Sequence, residues 1–142
     1  MSIVKGVNAT KIATGGLSNQ LAHGTYDARL KCITDSYEAA ALATGSWILI
    51  GNTVPTGARI QEVILAYDAL ATCVIAVGDS ASYARYIAFT SANAAGLTRL
   101  ATCDGLDYVV GTASGDNQIL VHNSGVSAAT GTIKVAVFYT QD

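Results

Sequence analysis

Past its first 28 residues the chain alternates short apolar runs with clusters of Gly, Asn, Asp and Ser, breaking every eight to twelve residues. That rhythm belongs to sandwiches and barrels. The clearest case is Gly131 to Thr140, where Ile133, Val135, Val137 and Tyr139 alternate with Lys134, Ala136 and Phe138. The same reading predicts strands at Arg29 to Thr34 (Leu30, Cys32 and Thr34 on one face), Ser46 to Gly51 and Arg59 to Ala69. Further strands are predicted at Thr72 to Val77, Ser82 to Thr90, Leu106 to Gly111 and Gln118 to His122. Arg59 to Ala69 is apolar on both faces. Val54-Pro55-Thr56-Gly57 and Gly78-Asp79 read as turns, and Pro55, the only proline, stops any ladder there. About eight strands joined by Gly-rich turns, with no long helix, predict an all-β fold. An antiparallel β-sandwich of jelly-roll-like form manages its strand edges best.

Two stretches depart from this pattern. Asp35 to Ala43 has Glu38 three residues after Asp35, an alanine run and Gly45 just beyond, all of which favour a short helix. Its short links to strands on either side favour an extended or bulged strand instead, since pairing overrides propensity in short segments. Residues 1–28 show no sustained period and are rich in Gly, Asn, Thr and Ser. A segment of that kind is a linker, a loose terminus or a functional arm. Val4, Val7, Ile12, Leu17 and Leu21 are its candidate contacts with another subunit. The expected division is an N-terminal arm over 1–28 and a β-sandwich domain over 29–142.

Composition narrows the class. The 142 residues are 51% hydrophobic and 13% charged, with a net charge of −2; an ordinary soluble domain has about 25% charged residues. That balance excludes disorder. Val63 to Val77, the longest apolar candidate, is interrupted by Asp68 and is shorter than the roughly 18 residues of a spanning helix, so no membrane association is expected. Met1 to Gly6 does not resemble a secretory signal. The acidic balance argues against a nucleic-acid partner. A surface this poor in charge is either simply neutral or largely covered by other subunits, because homo-oligomer interfaces are depleted in Lys, Glu and Asp. Cys32, Cys73 and Cys103 lack metal-ligand spacing and are expected to be buried thiols, as suits assembly in a reducing cytoplasm.

Candidate chemistry is sparse. Gly78-Asp79-Ser80 matches the nucleophile block of one esterase family, but Asp116 and His122 have the wrong spacing to complete it, and the block reads as a turn. His23 and His122, the only histidines, have no partner at metal or general-base spacing. Asp104-Gly105-Leu106-Asp107 and Asp116-Asn117 offer too few carboxylates for a calcium loop. No catalytic residue, cofactor or metal is expected. Trp47, flanked by Ile48 and Leu49, reads as core, and Tyr83, Arg85 and Tyr86 form a candidate surface aromatic patch.

The succession Gly6-Val7-Asn8-Ala9-Thr10-Lys11, Tyr37 to Ser46, the Pro-x-Gly-Ala-x-Ile block at Pro55 to Ile60, and Tyr67-Asp68-Ala69-Leu70 continues with Val77-Gly78-Asp79, Ala84 to Ala88 and Gly131-Thr132-Ile133-Lys134. It resembles small structural proteins of tailed bacteriophages, in particular head decoration (cement) proteins. The resemblance implies a non-enzymatic β-sandwich or jelly-roll homotrimer, made in the host cytoplasm and seated on the capsid exterior. Its partners would be itself and the major capsid protein, with adjoining capsomers bridged and the arm residues as candidate capsid contacts. The alternative is a phage tail or fibre module that binds host glycans through surface tyrosines.

Overall fold

The computed structural model describes residues 29–51, 53–111, 115–125 and 129–141. The expected arm over 1–28, with Val4, Val7, Ile12, Leu17, Leu21 and His23, lies outside them. Nine strands run in chain order: β1 (Arg29–Leu42), β2 (Trp47–Leu49), β3 (Arg59–Tyr67), β4 (Val74–Gly78), β5 (Ile87–Ser91), β6 (Gly96–Arg99), β7 (Tyr108–Val109), β8 (Leu120–Asn123) and β9 (Ala129–Gln141). No helix occurs among the described residues.

The strands form two antiparallel sheets. Sheet A has the order β1-β9-β3-β6, with the short β7 also on β3, and sheet B has the order β2-β8-β4-β5. The pairing is nested: β1 with β9, β2 with β8, β3 with β6, β4 with β5. The core lies between the sheets. Ile60, Val63 and Leu65 of β3 and Ile133, Val135 and Val137 of β9 cluster there with Ile75 and Val77 of β4, Ile87 of β5 and Val121 of β8. This is the antiparallel β-sandwich that the alternation predicts.

The helix-prone stretch from Asp35 is extended. β1 continues through it, opposite β9 from Arg29 and Gln141 to Ala40 and Thr130, and then shifts register to set Leu42 against Ala129. Ladder hydrogen bonds along so long a partner outweigh the modest helical preference of an alanine run. The shift is a bulge: Ala41 takes φ 61°, and the inward set passes from Ala39 to Leu42, both buried. A second bulge between Ile60 and Glu62 does the same in β3. It explains why that strand reads as apolar on both faces: Ile60 points inward before the bulge, Val63 and Leu65 after it.

Other expectations need correction. β6 was not predicted, because Gly96-Leu97-Thr98-Arg99 is a short and largely exposed edge strand without a buried alternating face. Only the second half of Ser82 to Thr90 is a strand. Of the three cysteines Cys73 alone is buried; Cys32 and Cys103 are exposed, Cys32 because it lies on the outer face of edge strand β1.

Asp68 ties the end of β3 to β9. Its backbone N–H donates to the Thr132 carbonyl at 3.0 Å, and its carboxylate accepts the Thr132 N–H at 2.9 Å. That N–H holds the Asp68 carboxyl below the usual aspartate value of 3.8. A lowered folded-state value contributes stability that is complete above the ordinary value and is lost as pH falls through the folded one. The stability advantage of wild type over Asp68→Asn should therefore shrink on acidification below 3.8, as read by urea unfolding at a series of pH values. At the β1 bulge, Ala41→Gly relieves a left-handed alanine on an exposed backbone. It should raise the urea midpoint, with a gain of about 0.5–1 kcal/mol and no change in slope.

Candidate functional site

Sheet B turns one face to the core and the other outward. Successive residues of a strand point to opposite faces, so Ile48, Val77 and Val121 face in while their neighbours face out. On the outer face Trp47 lies opposite His122, and His122 opposite Ala76; on the next rung Leu49, Leu120 and Gly78 are aligned. Ala76 and Leu120 are buried although neither belongs to the inter-sheet core. They form a floor under larger side chains.

Those larger side chains are aromatic. Tyr83 stacks on His122 with ring centroids 4.9 Å apart, and Trp47 meets Tyr83 edge-on at 4.8 Å. Trp47 and Phe89 each meet His122 edge-on at 5.7 Å. His122 is thus ringed by three aromatic side chains, and its Nδ1 is buried without a hydrogen-bond partner. Trp47 (43%), Leu49 (49%), Tyr83 (45%) and Phe89 (45%) nevertheless remain nearly half exposed. This is one contiguous apolar surface.

Tyr83 belongs to no strand; the turn after β4 delivers it. Asp79 is fully buried, and its Oδ1 accepts the N–H groups of Ala81 (2.9 Å) and Ser82 (2.8 Å). Arg85 Nε donates to Asp79 Oδ2 at 2.5 Å. Tyr86 N–H then donates to the Val77 carbonyl at 3.0 Å and brings the chain back beside β4. Gly78 makes the fold-back possible: a Cβ there would collide with the Ser82 carbonyl oxygen and the Tyr83 carbonyl group. Gly78-Asp79-Ser80 is therefore a turn, and its carboxylate caps that turn instead of orienting a catalytic histidine.

The patch predicted from Tyr83, Arg85 and Tyr86 is taken apart by this turn. Tyr83 goes to the outer face. Tyr86 is wholly buried, edge-on to Tyr108 at 6.3 Å, because its ladder bond to Val77 fixes it at the inner side of the sheet. Arg85 sits 4.1 Å over the Tyr108 ring. Its guanidinium is held above its ordinary range by the hydrogen bond to Asp79, and burial pushes the hydroxyls of Tyr86 and Tyr108 upward. All three keep their protons at neutral pH, so they offer neither base nor nucleophile. Trp47 also corrects expectation. β2 is a three-residue edge strand in which only Ile48 points inward, so Trp47 is surface and not core. The alternation in Trp47-Ile48-Leu49 carried that signal; Leu49, Phe89 and His122 were missed as its neighbours because only pairing brings them together.

The acidic turns have partners within the protein. Asp107 binds Arg59 at 3.2 Å and Gln61 at 3.1 Å. Asp116 accepts from the Gly111 N–H at 2.9 Å and from the Tyr108 hydroxyl at 3.3 Å. Among the described residues, no group of three or more His, Cys, Asp and Glu side chains could hold a metal ion.

No protein-family model matches the chain, and no curated sequence matches it. Two solved structures share its architecture. A chain of the cyanophage Pam1 capsid asymmetric unit superposes with a TM-score of 0.72 at 24% identity, over 92% of this chain and 96% of that one. A chain of the capsid of Ralstonia phage GP4 gives a TM-score of 0.60 at 22% identity, over 82% and 86%. The likeness is one of fold.

The turn yields a prediction. Asp79→Ala leaves Arg85 without its buried partner and should cost about 3–5 kcal/mol. It should also move the emission of Trp47, the single tryptophan, as Tyr83 leaves its side. Tyr83→Ala should change the emission without a comparable loss of stability, measured by fluorescence and urea unfolding on the same samples.

Proposed function

We propose that this chain is a non-enzymatic structural protein of a phage virion, and specifically a decoration (cement) protein. It binds the outer capsid surface as a homotrimer and braces adjoining capsomers through the major capsid protein. The observation that carries this reading is the fold shared, over nearly the whole of both chains, with a component of a phage capsid assembly. The nested strand pairing supports the jelly-roll-like form expected for such proteins. An uncharged, ring-built outer face supports work by surface association over work by catalysis.

The physical task fits a small rigid sandwich. A single weak contact with a capsid subunit gains little, but symmetry-related copies held in one oligomer engage several subunits together, and avidity multiplies the weak contacts. Residues 1–28, with Val4, Val7, Ile12, Leu17 and Leu21, are proposed to add extended contacts to the capsid or to neighbouring copies.

The test uses capsids of the host phage stripped of this protein. Adding the full chain should raise the capsid melting temperature and return the protein to the sedimenting particle, with cryo-electron microscopy density on the outside. A chain that neither sediments with capsids nor alters their melting would refute the reading.

A further inference from the structure

We propose that the chain before Arg29 folds back on its own domain, so that Leu17 and Leu21 lie on the outer face of sheet A. This narrows the role given to the arm above: Val4, Val7 and Ile12 remain for the capsid or for neighbouring copies. The fold-back itself does not depend on the capsid reading.

The first observation is what that face leaves uncovered. Among the described residues, the large hydrophobic side chains that are more than half exposed are Leu30, Leu97 and Leu106. Two belong to strands of sheet A and the third to the loop that leads into β7. Residues directly opposite each other share a face, so the rung Leu30, Thr140, Arg59 and Val109 points outward on β1, β9, β3 and β7. The next rung sets Cys32 opposite Phe138 and Phe138 opposite Glu62. Beside Glu62 runs a shallow groove lined by Gln61, Leu100, Cys103 and Leu106. Both exposed thiols, Cys32 and Cys103, therefore stand on this one side. Free cysteine is among the most buried residue types, and two left open on one face require a cover.

The second observation is where a cover joins. Residue 28 leads directly into Arg29 at the head of β1, beside Leu30. Gly24 and Asp27 supply the residue types that reverse a chain. Leu21, eight residues before Arg29, has an extended reach of about 26 Å, enough to return over Leu30 and Cys32. From Leu21 to Leu17 an extended chain runs about 13 Å, and the three strand spacings from β1 to β7 come to about 14 Å. With Leu21 over Leu30 and Cys32, Leu17 falls at the groove beside Leu106.

The third observation is the grain of the face. Arg59 with Asp107 and Glu62 with Arg99 stand between its apolar points. A continuous apolar partner surface would bury those pairs without replacing their hydration. A segment with single leucines separated by Ser18, Asn19 and Gln20 covers the apolar points and offers hydroxyl and amide groups to the pairs.

The test uses the full chain and follows alkylation of each cysteine by N-ethylmaleimide, resolved by peptide mass spectrometry. Cys73, wholly buried, is the protected reference, and the same chain in urea sets the unprotected rate. Cys32 and Cys103 should each react at least about tenfold more slowly in the folded chain than in urea, and this protection should persist on dilution. In the full-length double variant Leu17→Asp/Leu21→Asp both should speed up about tenfold, with Cys73 still protected and circular dichroism unchanged. Either thiol reacting as fast as in urea, or protection that the double variant keeps, overturns the proposal. Protection lost on dilution assigns the cover to another copy, and protection that appears only with capsids assigns it to the capsid; the proposal fails in both cases. Capsid sedimentation is read separately. If the thiols are protected by the arm but the chain ignores capsids, the proposal stands and the decoration reading fails. If the thiols are open in a chain that sediments with capsids, the proposal fails and the decoration reading stands.

Discussion

A long strand in the middle of a sheet must satisfy its backbone on both sides, because a buried N–H or C=O left unpaired costs as much as a lost hydrogen bond. β9 is under this constraint. It pairs with β1 along one side and β3 along the other, while Ile133, Val135 and Val137 on its inner face are buried against sheet B. The demand on its β1 side draws an alanine-rich segment out of the helix it would locally favour. The other edge of β1 bears no strand among the described residues, which would ordinarily invite pairing with a foreign strand. Asp35 obstructs the middle of that edge. One carboxylate oxygen accepts its neighbour Ser36's N–H at 2.8 Å, and the other accepts the Gly51 N–H at 2.7 Å. The edge donor at Ser36 is thus already engaged.

With one sheet organised around β9, the two outer faces are free to diverge. The outer face of sheet A mixes exposed Leu30 and Leu97 with a shallow groove lined by Thr34, Ser36, Ile64, Ala66 and Lys134 and with Glu62 paired with Arg99 at 3.4 Å. Exposed pairs of that kind add little stability; they keep a surface hydrated. Sheet B has no such groups and is covered instead by rings. The chain has 13% charged residues overall. It has placed its strand charges on one sheet, and overall composition alone could not show this.

Much of the fold was legible because alternation of period two is a direct record of which face is buried. β9 shows it plainly, and β3 shows it once its bulge is known. The bulges themselves were not legible, since one extra residue at Gln61 or Ala41 alters register without altering composition. The site was legible only in its parts. Tyr83 could be singled out, but its companions lie on β2, β5 and β8, far apart in the chain and joined only by pairing. Tyr86 misled for the opposite reason. It is three residues from Tyr83 in sequence, yet a turn closed by Asp79 sends the two to opposite sides of the sheet.

That turn also links the stability of the fold to the shape of its outer surface. Arg85 and Tyr86, adjacent in the chain, connect Asp79 to the core beside Tyr108, and Tyr83 projects from the same short segment onto Trp47 and His122. A surface tyrosine on a mobile loop would lose entropy on every docking event. Here the cost has largely been met in folding, by burying a carboxylate whose bonds to two backbone N–H groups and a guanidinium fix the turn. The requirement for glycine at position 78 follows from the same geometry, because only a residue without a Cβ lets the turn lie against the strand it leaves. A rigid outer face on this sandwich therefore depends on a buried ion pair at its margin more than on the rings themselves.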